Sequence, residues 1–345
     1  MTNGGGTSSG QRGDPDPATE APPGADGTGN VSSPEQTIQT MAEAAEIWTA
    51  AAMEAAEPCD IIEVDEDAAE DEDQATAEEK ARVIAGGAPE DADEPKPESD
   101  DDIETLGYGY PAPFTRWENF DDYRVWPYRA VGKLFFKRGG RGFVCSASSI
   151  GGCAIITAGH CVHAGNNSGS GWSTDVVFVP AYKDGNAPFG QWPARYSITR
   201  TQWYRHGIAK GLSEDIGGCI LRKQNGRMIS QRVGWLGFAW NWSRNQHWLA
   251  HGYPAGSPFN GRRMQINAAS FAYNGNVGAS PAPVGMGNDL TGGSSGGPWI
   301  WQFGTANYVN GVNSYRRRSK PKEMFSPYFG NAAKSLYDSL REGKC

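Results

Sequence analysis

The stretch LTGGSSGGPW, Leu290 to Trp299, sets two adjacent serines among four glycines and closes on a proline and an apolar residue. A serine hydroxyl is a weak nucleophile at neutral pH. It needs a neighbouring base to take its proton and a further group to orient that base. It also needs main-chain N–H groups aimed at the charge that develops on the attacked oxygen. Glycines on both sides of a serine suit this last need, because a residue without Cβ reaches unusual dihedral angles and lets another backbone approach. A flexible glycine-serine turn has the same composition, so the rest of the chain must supply the base and its orienting group.

Two further stretches offer them. In CSASSIGGCAIITAGHCVHAG, an apolar strand, Ala154 to Thr157, delivers His160 at its end, with Cys145 and Cys161 to either side. In SEDIGGCIL, Asp215 precedes a strand of buried character and can accept a hydrogen bond from an imidazole nitrogen. Taken singly, His160 reads equally as a solvated loop histidine.

Beyond these, the second part of the chain alternates strand-like runs with turn residues: AVGKLFF, GFVCSASSI, DVVFVPAY, HWLAHGY, MQINAASFAY, GPWIWQF and YVNGVNSY. Only the end predicts a convincing helix, with Asn331 as cap and Ala333, Leu336, Tyr337 and Leu340 sharing one face. Many short strands and one terminal helix point to closed β-barrels or a sandwich.

TAGHC, EDIGGCIL and GGSSGGP, in that order, resemble the chymotrypsin-like serine endopeptidases, over roughly residues 125–342. The resemblance implies an all-β, double six-stranded β-barrel with a C-terminal α-helix. It implies His160 as general base, Asp215 as its orienting carboxylate and Ser295, directly before Gly-Gly-Pro, as nucleophile. The oxyanion hole would be the N–H groups of Gly293 and Ser295, and Cys145–Cys161 would be a disulfide tying down the histidine loop. The activity implied is peptide-bond hydrolysis through an acyl-enzyme, with protein or peptide substrates and no cofactor. No cysteine pair has CxxC spacing, so no structural zinc site is expected.

Departures from the trypsin pattern matter as much. Ser294 stands where trypsin-like zymogens carry the aspartate that receives a new N-terminus, so RVIAGG (Arg82 to Gly87) echoes an activation site without its receptor. HGYPAGS and a small polar residue before the nucleophile are closer to the bacterial glutamyl-endopeptidase branch. Asp289 occupies the pocket-floor register that favours Arg or Lys before the scissile bond, yet that branch carries aspartate at this offset without the role, and both readings stand. Asn313, Ser314 and Tyr315 fall along the implied substrate-binding wall, Asn313 where that branch has a histidine. Arg316, Arg317 and Arg318 follow, either a solvated basic turn or a rim that attracts acidic substrates.

Charge divides the chain. Residues 1–106 hold 29 Asp/Glu against 4 Lys/Arg, a net of −25, whereas 107–345 hold 11 against 27, a net of +16. The first region is rich in Pro, Gly, Ser and Ala and poor in aromatics, so it buries too little apolar surface to offset its chain entropy and is expected to be mostly disordered. Within it, 34–56 predicts a helix begun by Ser33 and Pro34, and CDIIEVDED is a strand-like patch fit to join a sheet edge. Residues 107–345 are read as the protease-like domain.

Opposite charges on one chain make intramolecular docking of the acidic arm the expected restraint on such an enzyme. The competing reading is an inactive protease-fold binding module acting through that arm. No apolar run spans a membrane, and no nucleic-acid recognition motif is present. A bridged protease points to an oxidising compartment, while the absence of a recognisable secretory signal points to the cytoplasm, so the two clues conflict.

Overall fold

The computed structural model describes residues 1, 24, 25, 27–65, 82–87, 109–119 and 122–345. Six strands close a first barrel. Trp192–Arg200 pairs with Gly217–Leu221, which pairs with Ala154–Thr157, then Arg141–Gly151, Val131–Arg138 and Thr174–Pro180. Thr174–Pro180 returns to Trp192–Arg200 through Phe178↔Trp192 and Val177↔Pro193. The period of two along a strand decides what fills it. Leu134 and Phe136 point into one apolar cluster with Cys145, Ile155 and Phe178, while Phe135 between them belongs to another on the outer side.

A second sheet curls beside the first barrel. Its order runs Tyr315–Arg317, Glu323–Ser326, Val284–Gly287, Gln265–Asn274, His247–Gly252, Pro298–Trp301, Tyr308–Val312 and Gly237–Trp240. Val312 N–H donates to Ser326 Oγ at 2.9 Å, so the sheet bends back on itself. The fold is the expected β-barrel architecture, closed by the C-terminal helix Asn331–Glu342, whose Ala333, Leu336, Tyr337 and Leu340 are buried. Gly330, not Asn331, is the N-cap; the Asn331 side chain is instead engaged by Asn241 at 2.8 Å. Cys153–Cys345, a pairing the sequence left open, fastens this helix to the turn before Ala154–Thr157, and Cys145–Cys161 is also present. No helix among the described residues is long and apolar enough to cross a membrane.

Part of the acidic region is built onto this body. Asn30–Ser32 adds to the edge of Trp192–Arg200, Glu57–Pro58 to Arg141–Gly151, Ile62–Val64 to Tyr315–Arg317 and Arg82–Ile84 to Gly237–Trp240. The patch read as fit for a sheet edge therefore joins one, and RVIAGG is an edge strand with Arg82 and Val83 exposed. The remaining acidic stretches, 66–81 and 88–106, lie outside the described residues.

One helix over 34–56 does not form. Met41–Ile47 is capped by Thr40 and Ala50–Ala55 by Thr49. Ser33 N–H donates to Ser197 O and Gln36 N–H to Arg195 O, so a neighbouring strand takes the backbone that a helix starting at Pro34 needs. Helices of this length are unstable alone. Here Ala44, Trp48 and Met53 are buried, and Trp48 covers the outward-facing Phe135 with ring centroids 5.4 Å apart.

Candidate active site

The strand Ala154–Thr157 is buried throughout, and Ala158 caps the single turn Gly159–Val162 that carries His160. Asp215 sits just before Gly217–Leu221, which pairs with the histidine strand, so sheet register brings the two residues together. Asp215 Oδ2 lies 2.7 Å from His160 Nδ1, and Oδ1 accepts the His160 main-chain N–H at 2.7 Å. A third donor, Ser314 Oγ, reaches Oδ2 at 2.6 Å. The carboxylate is fully buried, and three hydrogen bonds offset the cost of taking it out of water. Gly159 is required by closeness: a Cβ there would lie 2.9 Å from Asp215 Oδ1 and 2.8 Å from the Trp203 ring.

With Nδ1 engaged, Nε2 is the nitrogen left to exchange a proton. His160 Nε2 and Ser295 Oγ are both buried, and neither has a hydrogen-bond partner among the described residues. The turn bearing Ser295 is held from the first barrel: Ser146 N–H donates to Ser295 O at 2.8 Å, and Ser146 Oγ donates to Gly293 O and accepts Tyr253 N–H, both at 2.9 Å. Gly296 has φ +77°, and a Cβ on it would fall 1.9 Å from Thr157 Oγ1. The turn bearing Ser295 therefore abuts the end of the histidine strand, and only glycine fits there. Ser294 Oγ turns back to Thr291 O at 2.7 Å.

The protease Anisep from Arthrobacter nicotinovorans is similar in structure, with 34% sequence identity over 62% of this chain and 96% of that chain, at a TM-score of 0.57. The chain belongs to the chymotrypsin-like serine protease family. A thermostable serine protease, AL20, from an extremophilic microorganism is similar to the same degree, 34% identical over 62% of this chain and 98% of that chain, TM-score 0.57. A Glu endopeptidase solved with MPD shares the fold at 17% identity, covering 66% of this chain and 97% of that chain, TM-score 0.53. No protein-family model and no curated protein matches the chain.

The residues expected along a substrate wall each have defined partners. Asp289 is ion-paired with Arg116, from the edge strand Thr115–Glu118, at 2.9 Å, so its charge is already answered. Asn313 is fully buried: its amide donates to His251 O and Ser294 O, and its Oδ1 accepts from Trp299 Nε1. Its side chain braces the Ser294–Ser295 turn. Ser314 is spent on Asp215. Tyr315 is buried and stacked on Phe325, 4.9 Å between centroids, and offers only its strand edge. The arginine triplet divides by strand alternation. Arg317 turns inward to buried Glu323, while Arg316 and Arg318 meet Glu63 and Asp65 of the arm.

The arm also reaches the His160 and Gly293 neighbourhood, which sequence reading did not anticipate. Gly293 N–H, the expected oxyanion donor, donates to Cys59 O at 2.8 Å. The Cys59 sulfur, the Cys145 sulfur and a His160 ring nitrogen lie within 4.8 Å of one another. Cys145 is bonded to Cys161, so the trio is not a set of three free metal ligands. Burial pushes the Cys59 thiol up to about 11, which keeps it protonated at neutral pH. The only local signal for this placement was an apolar pair, Ile61 and Ile62, in an acidic field.

Proposed function

We propose that the protein is a serine endopeptidase in which Ser295 is the nucleophile, His160 the general base and Asp215 the group that orients it. Ser295 Oγ attacks the scissile carbonyl carbon as its proton passes to His160 Nε2. Asp215 fixes the ring through Nδ1–H and stabilises the imidazolium that forms. The oxyanion is received by the N–H groups of Gly293 and Ser295. The tetrahedral intermediate expels the amine, which takes the proton from His160, and leaves an acyl-enzyme. Water then enters by the same general-base path and restores Ser295.

The observation that carries this reading is the double hold of Asp215 on His160, through Nδ1 and the main-chain N–H, beside a glycine-rich serine turn. The arm's place at Gly293 and Arg316 supports restraint of the enzyme by its own N-terminal region. The same Cys59–Gly293 contact also favours the second reading, an inactive protease-fold binding module, since it occupies an oxyanion donor.

A fluorophosphonate probe separates the two. It is expected to label the folded chain at Ser295 once the segment Glu57–Asp65 is released, and Ser295→Ala is expected to abolish labelling. A folded chain that never labels, with that segment released, overturns the enzyme reading.

A further inference from the structure

Residues 57–65 cross from the closed barrel to the second sheet, past His160 and Gly293. Glu57 and Pro58 lie parallel beside Phe143 and Val144, and Cys59 N–H donates to Val144 O at 2.9 Å. Cys59 O then takes the Gly293 N–H. Asp60 follows against Gly292, where a Cβ would lie 2.9 Å from Asp60 Oδ1. Ile61 and Ile62 are buried. Ile61 belongs to the apolar cluster of Trp248 and Trp299, and Ile62 to that of Trp203, Tyr315 and Phe325. Ile62, Glu63 and Val64 then run parallel with Tyr315, Arg316 and Arg317, and Arg318 N–H donates to Val64 O at 2.9 Å.

Charge follows the same path. Arg316 holds Glu63 at 2.7 Å, and Arg318 holds Asp65 at 2.8 Å. These two arginines share the strand face opposite Arg317, so once the arm leaves they present two unanswered cations along an open strand edge. An extended peptide recognises such an edge through its main chain, with alternate side chains setting the preference.

We infer that the edge Tyr315–Arg318 is a subsite for peptides carrying acidic residues, and that the chain's own segment Glu57–Asp65 fills it and the Gly293 amide together, holding the catalytic groove shut. The inference rests on the protease reading and adds the class of substrate and the form of restraint. One N–H cannot serve both Cys59 O and a developing oxyanion, and one strand edge cannot pair with two peptides. Because the occupant is part of the chain, its effective concentration at the groove is high, and an external peptide competes poorly until the segment is displaced.

The test uses the full chain and three readouts: alkylation of Cys59 by a maleimide, fluorophosphonate labelling of Ser295, and hydrolysis of an acidic peptide against its Gln analogue. Cys59 reports release of the segment independently of activity, since the other free cysteine, Cys219, is buried in the barrel. Glu63→Lys with Asp65→Lys turns two partly exposed ion pairs repulsive and is expected to speed both labelling reactions about tenfold. Ile61→Ser with Ile62→Ser removes the apolar anchors and is expected to do more. The released chain is expected to prefer the acidic peptide, and Arg316→Gln with Arg318→Gln to remove that preference.

If Cys59 becomes reactive while the rate at Ser295 stays at its wild-type value, the groove was never blocked and the inference fails, with the protease reading intact. If Cys59 becomes reactive and Ser295 never labels, the protease reading itself fails. Faster labelling without preference for the acidic peptide overturns the subsite. Wild-type Cys59 that alkylates as fast as in both variants shows that the segment does not sit in the groove, which overturns the inference as well.

Discussion

Arg116 reaches Asp289 at 2.9 Å, and the guanidinium stands over the Phe259 ring at 4.8 Å. A carboxylate at that position draws Lys or Arg only if its charge is available. Arg116→Gln should therefore free Asp289, and the released enzyme should gain a preference for Lys or Arg before the scissile bond of about tenfold, the effect of one roughly 1.4 kcal/mol interaction. Profiling cleavage of a peptide library by both forms checks this. An unchanged profile would mean that Asp289 does not line the pocket.

Asn313 should behave as a brace. Asn313→Ala strips a partner from the buried His251 O and Trp299 Nε1, and from Ser294 O, which keeps only the Gly297 N–H. Leaving such groups unsatisfied should cost roughly 2–4 kcal/mol in total. Denaturant unfolding should show the loss while residue preference stays as it was. A changed preference at undiminished stability would restore Asn313 to the pocket wall.

Cys153–Cys345 closes the longest covalent loop, 192 residues apart in sequence, and anchors the end of the C-terminal helix. Cys345→Ser should lower stability by about 2–4 kcal/mol. Calorimetry should show an earlier transition in the oxidised protein, and no difference once both forms are reduced.

Acid should weaken the fold before most carboxylates titrate. Burial holds His251 and His163 down to about 4, and both have 0% exposure. In the unfolded chain a histidine titrates near 6.5. Between those values the unfolded state binds more protons, so stability is complete above about 6.5 and falls as pH drops toward 4. Thermal unfolding measured from pH 7 to pH 5 should show the decline. His251→Leu, which removes one titrating group from between Tyr128 and Phe303, should make it shallower. Equal slopes for the two proteins would exclude His251 as a contributor.

Balance of forces on the arm was harder to read than its chemistry. Charge asymmetry suggested electrostatic docking, yet exposed ion pairs such as Arg318–Asp65 contribute about 1 kcal/mol at most. Burial of a side chain such as Met53, Ile61 or Ile62 contributes about 1.5–3 kcal/mol each. The apolar anchors dominate, and the charges select where the strand lies. Single apolar residues scattered through an acidic sequence give no period to detect, because each meets a different surface of the body.

His160, Asp215 and Ser295 could be singled out as candidates from the chain alone because each stands in a short motif whose backbone demands are local: a strand end, a strand start and a glycine-rich turn. The β-barrel class and the C-terminal helix followed from alternation and a single amphipathic face, which are also local properties. Tertiary structure alone decided that Arg116 answers Asp289, that Asn313 and Ser146 brace the turn bearing Ser295, that Cys153 meets Cys345, and that Cys59 lies on Gly293. Each of these joins residues far apart in sequence, through side chains or carbonyls that suit many partners. Which partner each one meets is set by how the closed barrel, the second sheet and the arm pack.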